Sequence, residues 1–464
     1  MKDALEPLFR PKSVALIGAS ANPSKLSHIA LRNLSKGKFR LYPVNPRETE
    51  ILGLRCYPSV LDVPDPIDLA VVSLPASLSV EATKECVRKG VRAVVVTSSG
   101  FRESGPEGAG LEQALVESIK GTPTRILGPN TMGILVPSIG LDTLFIPKER
   151  SGRPGAGQIA MLSQSGAVSV SFLEKAAASS TGISSCVGLG NKCDIEENEL
   201  LRYFSKDIET KCVALYLESF SYGREFLEIA RPMTRHKPIV LLKSGRTESG
   251  SKAAGLHTGA IAKSSDRLID CALRQVGVIR AYDEEELIDL AKALAYVGHI
   301  KGDRICVVAS AGGYGVIAAD LVESRERGAG LRMAELSDRT QRELRGVMPD
   351  FSSTSNPLDL TAGVSDEMYD SVLGILQKDP GVDAIMMSLE LQPPNVTKGL
   401  IRVAESRYAS GKVPIVISAF GGDYLDEMLR EFENRGVPAY PSIWRAVRAL
   451  GALARRGEYL RRMK

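Results

Sequence analysis

GQIAMLSQSGAVSVSFLEKAAASSTG (157–182) and DRICVVASAGGYGVIAADLVESRERG (303–328) follow one grammar in one register. Each begins with a short apolar run, turns through small residues, and continues with helical spacing of its apolar positions. A strand that is apolar throughout, with no alternation, is expected where helices cover both faces of a sheet. A second pair, KPIVLLKSG (237–245) and VPIVISAFGG (413–422), recurs in the same order. One such match could arise from the shared grammar of α/β units; two in sequence favour a duplicated unit.

The same pattern extends outward in both directions. SVALIG (13–18), LAVVSL (69–74), AVVVTS (93–98), CVALYLE (212–218) and AIMMSL (384–389) read as further buried strands. Helical periodicity fills the gaps, as in VEATKECVRKG (80–90) and EEELIDLAKALAYVG (284–298). Strands alternating with helices predict an α/β fold built on parallel sheets. Two breaks precede fresh strands: PKERSGRPGAG (147–157) and GHIKGD (298–303). They divide the chain into expected domains at 1–147, 157–298 and 303–464, which suits a length of 464 residues.

Composition removes several function classes. The 59 basic and 55 acidic residues leave a net charge of +4, too small for a dedicated nucleic-acid binder. Aromatic residues make up 5%, which argues against stacking platforms for single strands. The seven cysteines form no CxxC, so they read as reduced thiols of an intracellular protein, with no structural zinc and no metal site expected. No apolar run nears the ~20 residues of a membrane helix, and no signal peptide is legible, so neither membrane nor nucleic acid is an expected partner.

Chemistry is expected beyond the carboxyl ends of the strands. The turn IGASANPSKLSH (17–28) lacks the glycines of GxGxxG, with Ser20 and Pro23 in their places, which disfavours a nicotinamide oxidoreductase. A helix N-terminus still follows, so a phosphate-bearing ligand and a plain strand–helix turn both remain open. LYPVNPRE (41–48), VSLPAS (72–77), SSGFRESG (98–105) and GPNTMGI (128–134) add small-residue loops at successive strand ends, able to crowd N–H groups around an anion. In SQSGAVS (163–169), the serines and the N–H groups of Gly166 and Ala167 would face an anion at a positive helix end; a serine N-cap is the competing reading.

Of four histidines, His28, His236 and His299 read as surface or packing residues. His257 differs, because KSGRTESGSKAAGLHTGAIA (243–262) surrounds it with small residues and with Lys243, Arg246 and Lys252. An imidazole near pKa ~6.5 offers a neutral nitrogen as nucleophile at cytosolic pH. Its other nitrogen needs a partner, and Glu218 ends a buried strand in the same segment. Taken alone, Glu218 reads as an exposed strand-end acid.

In order along the chain, IGASANPSK, YPVNP, GPNTMGI, LSQSGAVS, the LES glutamate and the GLHTGAIA histidine resemble the α subunits of NDP-forming acyl-CoA synthetases, relatives of succinyl-CoA synthetase. Within them the sequence is most similar to the ADP-forming acetyl-CoA synthetases of archaeal type. The resemblance implies a Rossmann-like CoA-binding domain followed by two flavodoxin-like domains. It implies CoA binding by Gly18, Ala19, Ser20, Asn45, Pro46, Ser73, Pro75, Ser98, Ser99 and Gly100, with Asn130 near the acyl group. It makes His257 the phosphorylated residue and Glu218 its carboxylate partner. Ser163, Gln164, Ser165 and Gly166 become the phosphate cradle. The implied reaction converts acyl-CoA, phosphate and ADP reversibly to acid, CoA and ATP.

No stretch of the chain is left to build an ATP-grasp fold. The resemblance therefore implies a separate β subunit that binds ADP or ATP with Mg²⁺, in a cytoplasmic α2β2 heterotetramer. Thr131 departs from the residues common at its place, and SAGGYGV (310–316) lacks the asparagine common in relatives. A related ligase for larger aryl or branched acids, and a non-catalytic CoA-binding regulatory protein, stand as alternatives.

Overall fold

The computed structural model describes residues 4–252, 265–326, 328–411 and 413–463; His257 lies outside them. Parallel strands β1 (Ser13–Ile17), β2 (Arg40–Val44), β5 (Leu69–Val72), β6 (Ala93–Val96) and β7 (Arg125–Leu127) form the first sheet in the order β2-β1-β5-β6-β7. A two-stranded hairpin, β3 (Glu50–Ile51) and β4 (Leu54–Arg55), lies between β2 and β5 in sequence. Strands β1, β5 and β6 are buried at every position, as their unbroken apolar sequences require.

The second sheet holds β10 (Ala156–Ser163), β11 (Ile183–Gly188), β12 (Cys212–Leu217), β13 (Ile239–Lys243) and β14 (Ile279–Ala281), all parallel. Two short antiparallel strands, β8 (Ile134–Val136) and β9 (Leu141–Asp142), extend it beyond β11. Residues 134–142 thus join the second sheet before the glycine- and proline-rich break at 147–157. Backbone pairing of β8 with β11 covers an edge that β11 would otherwise expose.

The third sheet comprises β15 (Arg304–Ala309), β16 (Arg332–Met333), β17 (Leu358–Asp359), β18 (Ala384–Leu389), β19 (Ile415–Ala419) and β20 (Ala439–Tyr440). Its order is β16-β15-β18-β19-β20, with β17 also on β15. Where β16 ends, the Asn356 side chain takes over the edge of β15, accepting from Val307 N at 2.9 Å and donating to Ile305 O at 2.8 Å.

Leaving aside β8, β9 and β17, the parallel path of each sheet has one order: β2-β1-β5-β6-β7, β11-β10-β12-β13-β14 and β16-β15-β18-β19-β20. On that path β10 and β15, read from sequence as a repeat, are each first in chain order, and β13 and β19, the second repeated pair, are each fourth. The likeness reaches individual hydrogen bonds. Gln164 N donates to Tyr216 O at 3.1 Å, and Ser310 N donates to Ser388 O at 3.4 Å. Gln164 Oε1 accepts from Glu218 N at 2.6 Å, and Ser310 Oγ accepts from Glu390 N at 2.7 Å. Glu390 therefore holds in the third sheet the backbone place that Glu218 holds in the second.

The chain divides into two compact units, the first made of residues up to Ala177 and Gly182–Glu284 and containing the first two sheets, the second made of Ala178–Thr181 and the residues from Glu285 and containing the third. This division falls one helix before the break at 298–303. The helix Glu284–Tyr296 belongs to the later unit because its buried Lys292 pairs with Glu433 at 2.7 Å and its Asp289 with Arg445 at 2.6 Å.

Candidate active site

In the first sheet the loops singled out by sequence lie at the carboxyl ends of neighbouring strands. Gly18 follows β1 with φ +87°, and a Cβ there would lie 2.5 Å from Ser73 O. The Asn45 side chain reaches from the end of β2 to Ala19 O at 2.6 Å, and its Oδ1 accepts from Arg47 N across Pro46 at 2.8 Å. His28 is buried, with Nδ1 at 2.9 Å from Ser20 O, so it is a packing residue that steadies the same turn. Pro75 begins the helix Ala76–Lys89, and the Ser98 hydroxyl donates to Leu74 O. Gly100 N donates to Glu103 Oε1 at 2.7 Å, while Asn130 N donates to Ser98 O at 2.8 Å. Pro46, Pro75, Ser99 and Asn130 are exposed at this rim.

Gly18→Ala places a methyl group against a fixed carbonyl at a backbone angle that disfavours side chains. It should cost about 2–3 kcal/mol of stability and abolish CoA binding, read by melting and titration calorimetry. Unchanged values for both would remove this turn from the site.

The SQSG turn follows β10 and opens the helix Gly166–Ala178. Ser163 is fully buried; its hydroxyl donates to Ser165 O at 2.8 Å and accepts from Ser165 N at 3.1 Å. Ser165 Oγ stands 3.4 Å from Val168 N, so the serine cap is present, though long. Gly166 and Ala167 are exposed at the helix start, and such an end favours an anion.

Gln164 turns away from that opening: its Oε1 accepts from both Glu218 N at 2.6 Å and Ser219 N at 3.0 Å. One side chain thereby ties the turn to the candidate carboxylate. The expectation of an exposed acid at 218 is overturned, because Glu218 is only 4% exposed. Tyr216 Oη lies 3.4 Å from Glu218 Oε1. Burial raises the Tyr216 phenol above its ordinary value, and the nearby Glu218 charge adds to the shift, so the phenol stays protonated as a donor.

The basic residues before the candidate histidine have separate partners. Lys243 is buried and donates to Glu218 O at 2.7 Å and Ser244 O at 2.6 Å; burial lowers its pKa. Arg246 lies over the Tyr282 ring at 4.5 Å and 3.6 Å from Asp266, while Lys252 pairs with Glu248 at 3.1 Å.

The segment after β11 was not singled out by sequence, yet it borders both groups of loops. Leu189 N donates to Ser163 O at 2.7 Å, and Asn191 N donates to Pro129 O at 2.9 Å. A Cβ on Gly190, where φ is +57°, would lie 2.2 Å from Pro129 O. Asn191 Nδ2 donates to Glu103 Oε2 at 2.6 Å and Glu112 Oε2 at 2.8 Å. Burial would raise the Glu103 pKa, but hydrogen bonds from Asn191 and the N–H groups of Phe101 and Gly100 hold it below the usual value. Lys192 Nζ donates to Glu197 Oε2 and to Ser219 O, each at 2.9 Å. Two glycines, Gly188 and Gly190, just before the polar pair Asn191–Lys192 at a strand end are the sequence signal for it.

Glu196 caps the helix Glu197–Lys206 through Asn198 N at 2.8 Å. Burial, with help from the Glu197 and Glu199 charges, pushes its carboxyl up to about 7 from 4.5. The native protein therefore holds this proton where the unfolded chain has released it, and the group's contribution to stability falls as pH rises from 4.5 to about 7. Glu196→Gln should stabilise by about 1 kcal/mol at pH 8, solvent screening of the helix end limiting the gain, and by nothing at pH 4. Urea melts at the two pH values check this.

Among the described residues, no cluster of His, Cys, Asp or Glu could hold a metal ion, and no helix is long and apolar enough to cross a membrane.

The strand-end loops of the first sheet and the SQSG–Glu218 assembly of the second lie at the carboxyl ends of parallel strands, where α/β proteins bind their ligands. A CoA binding domain model matches residues 12–137, a succinyl-CoA ligase like flavodoxin domain model residues 156–294, and a Ligase-CoA domain model residues 305–461. The α subunit of acetate–CoA ligase [ADP-forming] I from Pyrococcus furiosus is 36% identical over 97% of each chain. Acetate–CoA ligase [ADP-forming] I of Archaeoglobus fulgidus is 37% identical over 97% of this chain, which spans 63% of that longer protein. A solved Ca. Korarchaeum cryptofilum dinucleotide forming acetyl-coenzyme A synthetase 1, in complex with phosphate and ADP, is 34% identical with a TM-score of 0.88, over 99% of this chain and 98% of that one. The chain belongs to the family of ADP-forming acetate–CoA ligase α subunits.

Proposed function

We propose that the chain is the α subunit of an ADP-forming acetyl-CoA synthetase, converting acetyl-CoA, phosphate and ADP reversibly to acetate, CoA and ATP. The observation that carries this reading is the buried Glu218, tied by Gln164 to the SQSG turn, in a sheet whose β13 precedes His257 in sequence.

CoA lies along Gly18–Ser20, Asn45–Pro46, Ser73–Pro75 and Ser98–Gly100, with the acyl group toward Asn130. A phosphate oxygen attacks the thioester carbonyl, the C–S bond breaks, and the CoA sulfur leaves as a thiolate that takes up a proton. The resulting acyl phosphate is held at Ser165 and the N–H groups of Gly166 and Ala167, where the helix end favours its charge. A His257 nitrogen then attacks phosphorus and the carboxylate departs. Glu218 accepts the hydrogen bond of the other imidazole nitrogen and stabilises the cationic ring. An oxygen of the ADP β-phosphate finally takes the phosphoryl group and frees the histidine.

ADP and Mg²⁺ are supplied by a β subunit of ATP-grasp type, in a cytoplasmic α2β2 assembly. Its existence is supported by single-chain relatives, of which this chain matches 62–63% of the length. Ser163 shapes the phosphate turn and Gln164 anchors it.

Mixing the purified chain with its partner should yield ATP from acetyl-CoA, phosphate and ADP, with loss of activity when any one is omitted. CoA binding without turnover would favour the regulatory reading instead.

A further inference from the structure

The segment Gly190–Lys192 touches both halves of the proposed site through two adjacent side chains. Asn191 faces the CoA loops: its amide donates to Glu103 at 2.6 Å, and Glu103 in turn accepts from Gly100 N at 2.7 Å and Phe101 N at 3.1 Å. Its Oδ1 is 3.4 Å from Asn130 Nδ2. Lys192 faces the carboxylate loop. Its Nζ grips Ser219 O at 2.9 Å, one residue past Glu218, and Glu197 at the same distance. Glu197 Oε1 accepts from Ser221 N at 2.6 Å, so the ion pair fixes both ends of Ser219–Ser221.

The Lys192–Glu197 side chains are 4% and 0% exposed. A buried ion pair offers little net stability over an apolar pair of the same size, and what this one does is hold Ser219 O on Lys192 and Ser221 N on Glu197. Lys192 also adopts φ +58°, an uncommon angle for a lysine.

We propose that Asn191 and Lys192 are positioning residues that couple the CoA loop at Gly100–Glu103 to the placement of Glu218. A shift of Gly100–Phe101 on CoA binding moves the Glu103 carboxylate. Asn191 follows that carboxylate, and Lys192 passes the shift to Ser219 and thus to Glu218. The inference rests on the reading of the first sheet as the CoA site and of Glu218 as the partner of His257.

A double-mutant cycle in the assembled enzyme tests it. One arm is Glu103→Gln. The other joins Lys192→Met to Glu197→Gln, which removes both buried charges together and keeps an acceptor for Ser221. Each arm should lower kcat about 10-fold, the second with KM for CoA within twofold. Combined, they should lower kcat about 10- to 20-fold rather than 100-fold, because each breaks the same linkage. Lys192→Arg, which keeps a cation at Ser219 O, should recover at least half the wild-type kcat.

Fully multiplicative losses, or unchanged kcat in either arm, would overturn the coupling while wild-type labelling of His257 and CoA binding leave the proposed function standing. A wild-type enzyme that neither labels nor binds CoA overturns both. Should the paired replacement fail to fold, Asn191→Ala against Glu218→Gln gives the same reading, with submultiplicative loss supporting the coupling and multiplicative loss refuting it.

Discussion

His257→Ala should reduce ATP formation from acetyl-CoA by at least ~10⁴-fold in the assembled enzyme, because the phosphoryl group then has no residue to carry it between sites. CoA binding should persist within about twofold, since the proposed CoA contacts lie on the first sheet. Acyl phosphate formation should also persist, because phosphate attack on the thioester precedes the histidine step. Rapid-quench assays for acyl phosphate and ATP separate the two steps. Full turnover by the alanine variant would exclude a phosphohistidine.

Glu218→Gln has the second largest expected effect. The substitution preserves shape, and the backbone bond from residue 218 to Gln164 Oε1 is untouched, so melting should change little. On the proposed mechanism, what is lost is the negative charge that pairs with the imidazole as it becomes cationic on phosphorylation. Loss of an anionic partner in a buried setting should slow histidine phosphorylation by about 10²–10³-fold. Single-turnover labelling from ATP, with the partner subunit present, measures this directly; labelling at the wild-type rate would remove Glu218 from the mechanism.

The fold was legible wherever burial dictates composition. β10, β12, β18 and β19 are covered on both faces, so nearly every position is apolar and the run stands out from its surroundings. β11 is not legible in the sequence because Ser184 and Ser185 interrupt its apolar pattern; Ser184 is tolerated in the interior by a 2.7 Å hydrogen bond to Thr210. β8 and β9 are too short for periodicity to register, and their place in the second sheet follows from pairing with β11.

Site residues divide in the same way. Turns such as SQSG carry local chemistry and can be read in sequence. Asn191 acts through Glu103, a residue 88 positions away, and Lys192 through Ser219, 27 positions away. Contacts of that span depend on the assembled sheets. Gln164 marks the boundary between the two cases: sequence places it in the phosphate turn, whereas its side chain points back to Glu218 and Ser219.

The central claim is that phosphate from the acyl phosphate passes through His257. The measurement that tests it most directly is peptide mass spectrometry, under alkaline conditions, of the assembled enzyme quenched during turnover with acetyl-CoA and labelled phosphate in the absence of ADP. The account predicts an acid-labile, base-stable phosphoryl group on this chain at His257, discharged when ADP is added. A label on any other residue of this chain, or none while ATP is still formed on adding ADP, would contradict it.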